Sequence, residues 1–203
     1  MTLVDADDSF TWNLVQALST LGARVSVVPT AGIAVAQLCR SEAVVLGPGP
    51  GGPCEAGVHV AAAAALVAAR VPLLGVCLGH QAIGLALGGR VAQVPARHGY
   101  TSPMTHDGTG LFEGIPTPVP MMRYHSLALC EEPFPADLRV VARSADDGVV
   151  QAVAHRTAPA WGIQFHPESV GSEPWGSLIL ARWLALATRT ASAPVRSPAL
   201  SIP

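Results

Sequence analysis

At 203 residues, half of them hydrophobic and 13% charged, the chain has the size and make-up of one globular domain with a substantial core. Its formal charge of -2 leaves no basic footprint for nucleic acid or an anionic membrane surface, and all 12 basic residues are arginine. No charged leader with an apolar core opens the chain, and Cys39, Cys54, Cys77 and Cys130 form no C-x-x-C pair. The expectation is therefore a cytoplasmic protein with reduced thiols, neither a disulfide framework nor a zinc protein.

In chain order, "TLVDA" is a short apolar run that reads as a strand, and Asp8 or Ser9 is placed to cap a helix over "FTWNLVQALSTLG" that Gly22 ends. "RVSVVP" reads as a second strand, Ile33 to Cys39 as a weak helix, and "AVVLG" as a third strand. After the loop "GPGPGGPCEAG" comes an alanine-rich helix, then the strand "PLLGV", then a helix from Leu78 to about Leu87. The apolar stretch from Val58 to Gly79 does not read as a membrane span, because His59, Arg70 and Pro72 interrupt it. Continuous apolar strands alternating with helices predict a parallel sheet covered on both faces.

The second half changes character. "GRVAQV", "TPVPMMRYHSLAL", "LRVVARS", "VVQAVAH" and "AWGIQFH" are short strands between turn residues, which extend the same sheet in antiparallel fashion. A last helix, "WGSLILARWLALA", precedes a tail rich in Pro, Ser and Ala. The predicted fold class is α/β: a single doubly wound, mostly parallel sheet with helices on both faces and an antiparallel extension. The domain spans residues 1–188, and 189–203 read as a disordered tail.

Gly75-Val76-Cys77-Leu78-Gly79 is G-x-C-x-G, the thiol counterpart of the G-x-S-x-G nucleophile elbow. A nucleophile on a tight strand-to-helix turn needs small neighbours two residues away. The turn lifts the sulfur to the carboxyl end of the sheet and sets it at a helix N-terminus, where the dipole favours thiolate. The Leu78 N–H then points toward an oxyanion on an attacked carbonyl. Taken alone, the pattern fits a buried, inert cysteine equally well. "GIQFHPES" tips the balance: residues i and i+2 of an extended segment share a side, so His166 and Glu168 can converge as base and orienting carboxylate. Pro167 keeps His166 out of the helical region. "GPGPGG", residues 47–52, follows a strand at the same end of the sheet; it lacks the residues of a phosphate loop but exposes backbone amides suited to a second oxyanion donor.

"GVCLGHQ", "GPGPG", "RYHSL" and "GIQFHPES" together resemble a class I, triad-type glutamine amidotransferase domain, over nearly the whole chain. "CLGHQ", "HDGTGLFEGIP" and "RYHSL" narrow the likeness to the glutaminase subunits of anthranilate and aminodeoxychorismate synthases. The resemblance implies a flavodoxin-like fold and a triad of Cys77 as nucleophile, His166 as general base and acid, and Glu168 orienting it. It implies oxyanion amides on Gly49 and Leu78, and glutamine contacts from Gly49, Pro50, Gly51, Gln81, Ser126 and Leu127. Gln81 lies one helical turn beyond Cys77, so it can face the same pocket. The resemblance also implies no metal or cofactor in this chain. The partner that receives ammonia would be a magnesium-dependent, chorismate-binding synthase subunit.

The chain departs from the family pattern at Tyr100, where lysine is usual, at Gly52 and Cys54 in the loop, and at Pro174 and Trp175 after the triad. These bear on partner choice rather than on the triad. Two other readings use the same residues: a stand-alone cysteine hydrolase of γ-glutamyl amides, and a non-catalytic scaffold.

Overall fold

The computed structural model describes residues 1–191. Five parallel strands form one half of the sheet: β1 (Thr2–Asp5), β2 (Ser26–Pro29), β3 (Val44–Leu46), β4 (Leu73–Val76) and β9 (Ala160–Ile163). The antiparallel half is β5 (Val91–His106), β6 (Val119–Leu129), β7 (Leu138–Ser144) and β8 (Val150–His155). The order across the sheet is β2-β1-β3-β4-β9-β8-β7-β5-β6. The helices are α1 (Thr11–Thr20), α2 (Val35–Leu38), α3 (His59–Ala68), α4 (Leu78–Ala86) and α5 (Trp175–Ala191).

The alternation of a strand's side chains explains why both faces need cover. Leu3, Val45, Leu74 and Val76 point to one face, where they pack with Leu14 and Leu18 of α1 and Ile179, Leu180 and Trp183 of α5. Their neighbours Val4, Val44, Leu46 and Leu73 point to the other, against Leu38 of α2, Ala62, Ala63 and Leu66 of α3, and Ile83 of α4. A strand buried on both sides must be apolar throughout, as β3 and β4 are.

The antiparallel half does not lie flat. β5 pairs with β7 only through its last three residues, Met104 to His106, so its first half pairs with β6 alone. β6 curls over the carboxyl end of the parallel strands, where Met122 O accepts a hydrogen bond from the His166 amide at 2.9 Å and Met122 N donates to Ser172 Oγ at 2.9 Å.

Several boundaries differ from the sequence reading, each for a local reason. Asp8 caps no helix as an N-cap; the helix starts after Phe10, and Asp8 Oδ1 accepts the Phe10 amide at 2.8 Å in a turn just outside it. The helix expected over Ile33 to Cys39 shortens to Val35–Leu38. β5 is far longer than "GRVAQV": it runs through Pro95, Gly99 and Pro103, residues that signal strand breaks, because register shifts between Gln93 and Arg97 and between His98 and Tyr100 absorb the first two, while Pro103 sits in regular register opposite Pro120. The final helix continues to Ala191, three residues past the expected domain boundary; the rest of the expected tail, 192–203, lies outside the described residues. No described helix is long and apolar enough to cross a membrane.

Candidate functional site

The carboxyl ends of β1, β3, β4 and β9 open onto the same region, and each delivers part of the site. β4 ends at Val76, and Cys77 takes φ 51° and ψ -98° before α4 begins. This is a backbone state that a side chain with a Cβ rarely adopts, at a cost of about 1–3 kcal/mol. The flanking glycines make the turn possible. A Cβ on Gly75 would run into the Gly79 carbonyl, and one on Gly79 would run into the Leu46 carbonyl of β3. The elbow is pinned by the Cys77 amide, which donates to Ile163 O of β9 at 2.8 Å. Cys77 is buried, with 7% of its surface open.

After Ile163 the chain leaves the sheet while staying tied to it: Gln164 N donates to Gln151 O at 2.8 Å and His166 N to Met122 O at 2.9 Å. The expected strand "AWGIQFH" therefore ends three residues early. His166 and Glu168 do converge, with Nδ1 to Oε1 at 2.7 Å, but through a turn in which Ser169 N donates to His166 O at 3.3 Å, not through an extended segment. Proline at 167 is compatible with both, and the turn places the carboxylate at the Nδ1 edge of the ring.

The imidazole is held on its faces as well. Phe10 lies 5.2 Å from it and Tyr124 meets it edge-on at 5.2 Å, so two aromatic rings from β1's exit loop and β6 fix its plane and keep water away. Burial alone would drive protons off this ring. The Cys77 sulfur and the Glu168 carboxylate outweigh burial and push its pKa up to about 10. Its Nε2 makes no well-aligned hydrogen bond in the resting chain, a looseness common before substrate arrives.

In front of the sulfur lies a cavity of about 150 Å³ walled by Gly49, Pro50, Gly51, Cys77, Leu78, Gln81, Ser126 and Leu127, together with His98, Tyr124 and His125. Every residue that the resemblance assigned to substrate thus borders one space. His166 stands outside its wall, beside the sulfur, with Glu168 behind the ring. The volume suits a small metabolite rather than the ~300–1,000 Å³ sites of drug-sized ligands. A larger hollow, about 520 Å³, opens at the amino ends of the strands between Met1, Arg24, Glu42 and Leu184. It is lined by no cysteine or histidine, so size does not select the site.

The Gly49 backbone sits against Leu78 and Ala6 so closely that a Cβ would lie 2.5 Å from Leu78 Cδ2 and 2.6 Å from Ala6 Cβ. That brings the "GPG" strand exit beside the start of α4. Gln81 Nε2 donates to Leu127 O at 3.0 Å and to Gln164 Oε1 at 3.1 Å, which uses both of its hydrogens. Its Oε1 is left buried and unpartnered at the cavity wall.

Sequence reasoning missed Phe10, His98, Tyr124, His125 and Gln164. Tyr124 and His125 sit inside the quoted "RYHSL", and Gln164 inside "GIQFHPES"; the strand period could have put Tyr124 and Ser126 on one side but not over Cys77. His80, inside "CLGHQ", is no part of the cavity: it is fully buried against Gly162 of β9, and burial holds its pKa down to about 3. Among the described residues no group of three or more His, Cys, Asp or Glu is arranged to hold a metal ion.

The sequence profile of class I glutamine amidotransferases matches residues 2–185. The chain belongs to the class I glutamine amidotransferase family. Among curated relatives of this amidotransferase, anthranilate synthase component 2 of Mycobacterium tuberculosis is 46% identical over 187 residues, 90% of this chain and 80% of that one. The component 2 protein of Thermococcus kodakarensis is 47% identical over 175 residues, 85% of this chain and 89% of that one. Aminodeoxychorismate synthase of Streptomyces griseus is 46% identical over 191 residues, which are 92% of this chain but 26% of that longer protein. The chain therefore spans about a quarter of the Streptomyces relative and most of the component 2 relatives. The crystal structure of a Thermoplasma acidophilum protein, described as one of the subunits of GMP synthase, superposes with a TM-score of 0.82 over 93% of both chains at 24% identity, a likeness of fold. By sequence this amidotransferase is of the anthranilate synthase component 2 type.

Proposed function

We propose that this chain is the glutaminase subunit of a chorismate-using synthase, making ammonia from glutamine for amination by a partner subunit. The observation that carries the reading is a single small cavity bordered by a strained, helix-capping cysteine, with a His–Glu pair held in contact behind it. In this reading the Cys77 thiolate adds to the γ-carbonyl carbon of glutamine. The backbone amides of Gly49 and Leu78 hold the oxyanion. The protonated His166 gives its proton to the departing nitrogen, so ammonia leaves and a γ-glutamyl thioester remains on Cys77. Water then adds to the thioester as His166 takes its proton; glutamate leaves and the sulfur is restored. Glu168 keeps the imidazolium stable and its Nε2 turned to the sulfur. Gln81 offers Oε1 as a fixed acceptor for a donor group of the substrate.

The chemistry calls for no cofactor in this chain; magnesium dependence would belong to the chorismate-binding partner. That partner would cover the rim of the cavity. Kinship to component 2 relatives and to the amidotransferase part of a longer aminodeoxychorismate synthase supports such an assembly. The test is to add L-glutamine to the chain with and without its co-purified partner, quench in acid and examine Cys77 by mass spectrometry while measuring ammonia. A γ-glutamyl adduct on Cys77 and ammonia release that rises with the partner are expected. Equal turnover without the partner would favour the stand-alone hydrolase, and no adduct with the partner present would end the glutaminase reading.

A further inference from the structure

Gln164 lies completely buried directly behind Cys77, and its Nε2 is 3.4 Å from the sulfur. The direction of that contact is fixed by its neighbours. Leu127 O is a carbonyl and can only accept, so the Gln81 atom 3.0 Å from it must be the nitrogen. The same nitrogen lies 3.1 Å from the Gln164 side chain, which must therefore present its oxygen to Gln81 and its nitrogen to the sulfur. The chain of forced donors continues outward. Leu127 O also receives His125 Nδ1–H at 3.0 Å, which makes His125 Nε2 an acceptor for Arg123 Nε–H at 3.1 Å. Arg123, itself fully buried, is anchored by Asp147 at 2.9 Å and by the hydroxyls of Ser102 and Ser144. The Leu127 carbonyl thus sets the polarity of the two-amide row that ends on the sulfur, and on its other side orients His125 toward Arg123.

We propose, resting on the glutaminase reading above, that Gln164 is a donor to the nucleophile, steadying Cys77 as thiolate and aiming it at the cavity, with Gln81, itself held by the Leu127 carbonyl, as the positioning residue that holds the Gln164 amide the right way round. A hydrogen bond from a neutral amide to an anionic sulfur is charge-assisted and strengthens as the sulfur ionises. The other titratable groups around the sulfur are His166, with Glu168 behind it, and His98, Tyr124 and His125 across the cavity. The Nε2–H of Gln164 is the only contact in the row that reads the charge of the reacting atom directly.

The experiment measures alkylation of Cys77 by iodoacetamide against pH, alongside glutaminase kinetics of the partner complex, in the wild type, Gln164→Met and the near-isosteric Gln164→Glu. In Gln164→Met the midpoint of the alkylation curve should rise by about one pH unit, the size expected for losing a hydrogen bond to a charged group. The kcat for glutamine should fall about ten- to a hundredfold with KM within about threefold, since the lost contact is to the nucleophile and not to substrate. Gln164→Glu should show the larger alkylation shift, because it sets a carboxylate against the sulfur. Alkylation curves that superpose for all three proteins would overturn the role of Gln164 and leave the glutaminase reading standing. Shifted curves in a wild type that forms no thioester would uphold the role of Gln164 and overturn that reading.

Discussion

The two halves of the sheet solve opposite problems. The parallel half is dry: β1, β3 and β4 are lined on both faces by aliphatic side chains, and the strained residue it delivers to the cavity is Cys77. The antiparallel half buries polar groups, with Arg123, His125, Ser102, Ser144 and Gln151 all enclosed and hydrogen-bonded to one another or to Asp147. The difference teaches a division of labour. An apolar, close-packed platform holds a strained nucleophile because its packing over-determines the turn. A polar, curled flap forms the opposite wall, where directional hydrogen bonds fix which atom of each side chain faces the cavity.

The sharpest break of that comparison is Cys77→Ser, which alters the chemistry of the platform and leaves its packing intact. In the complex with the proposed chorismate-binding partner, glutamine-dependent product should fall at least about a thousandfold, while product from added ammonium salts stays near the wild-type level. Loss with both nitrogen sources would mean that the cysteine holds the assembly together instead.

How far the chain explains itself follows the same line between the halves. The platform was legible because each of its signals is local: apolar runs for β1, β3 and β4, Gly75 and Gly79 around Cys77, and a His-Pro-Glu triplet. The convergence of Cys77, His166 and Glu168 needed only the rule that open α/β sheets gather their sites at the carboxyl ends of the strands. The flap was legible as an antiparallel extension, from "TPVPMMRYHSLAL", "LRVVARS" and "VVQAVAH", but its full length and its inner contacts were not. Pro95, Gly99 and Pro103 hid most of β5, and nothing near Tyr124 in the chain says that it will stand edge-on to His166. Arg123 reads as a surface charge, since arginine is rarely buried without a partner, and its partner Asp147 lies 24 residues away across a strand pair. The role of Gln164 depends on a row of contacts spread over several elements, so no window of sequence contains it.

Arg123→Met tests the flap with the next largest effect. It keeps much of the side-chain volume but strips Nε and Nη1 from His125, Ser102, Ser144 and Asp147. Asp147 is partly exposed and can turn to water, so the cost should be about 2–4 kcal/mol, at the lower side of what a fully buried broken pair shows. Urea unfolding reads the stability and the thioester assay reads the site. The comparison predicts that glutaminase activity falls under conditions where the protein remains folded, because His125 and Leu127 lose their fixed places in the wall. Full activity in a folded variant would make the polar flap a stabilising device only.

The smallest effect separates the two halves by pH. In the flap, burial and then the Arg123 charge push the His125 pKa down to about 4, and burial pushes His80 beneath it to about 3. Both are neutral in the fold and take up protons more readily when unfolded, near the ordinary histidine value of about 6.5. Their contribution is therefore complete above about pH 6.5 and is lost as the pH falls toward 4, by about 1 kcal/mol per histidine for each unit below 6. His166 runs the other way. Its pKa is raised to about 10, so its contribution is complete below about pH 6.5 and fades as the pH climbs through 10. Urea unfolding across pH 5 to 9 should show stability falling on both sides of neutrality, with different residues responsible for each side. His125→Asn should make the acid limb shallower, leaving the part that His80 supplies, and Cys77→Ser, by removing one of the two groups that raise His166, should make the alkaline limb shallower. An acid limb as steep in His125→Asn as in the wild type would mean that burial and the Arg123 charge do not hold this ring neutral in the fold.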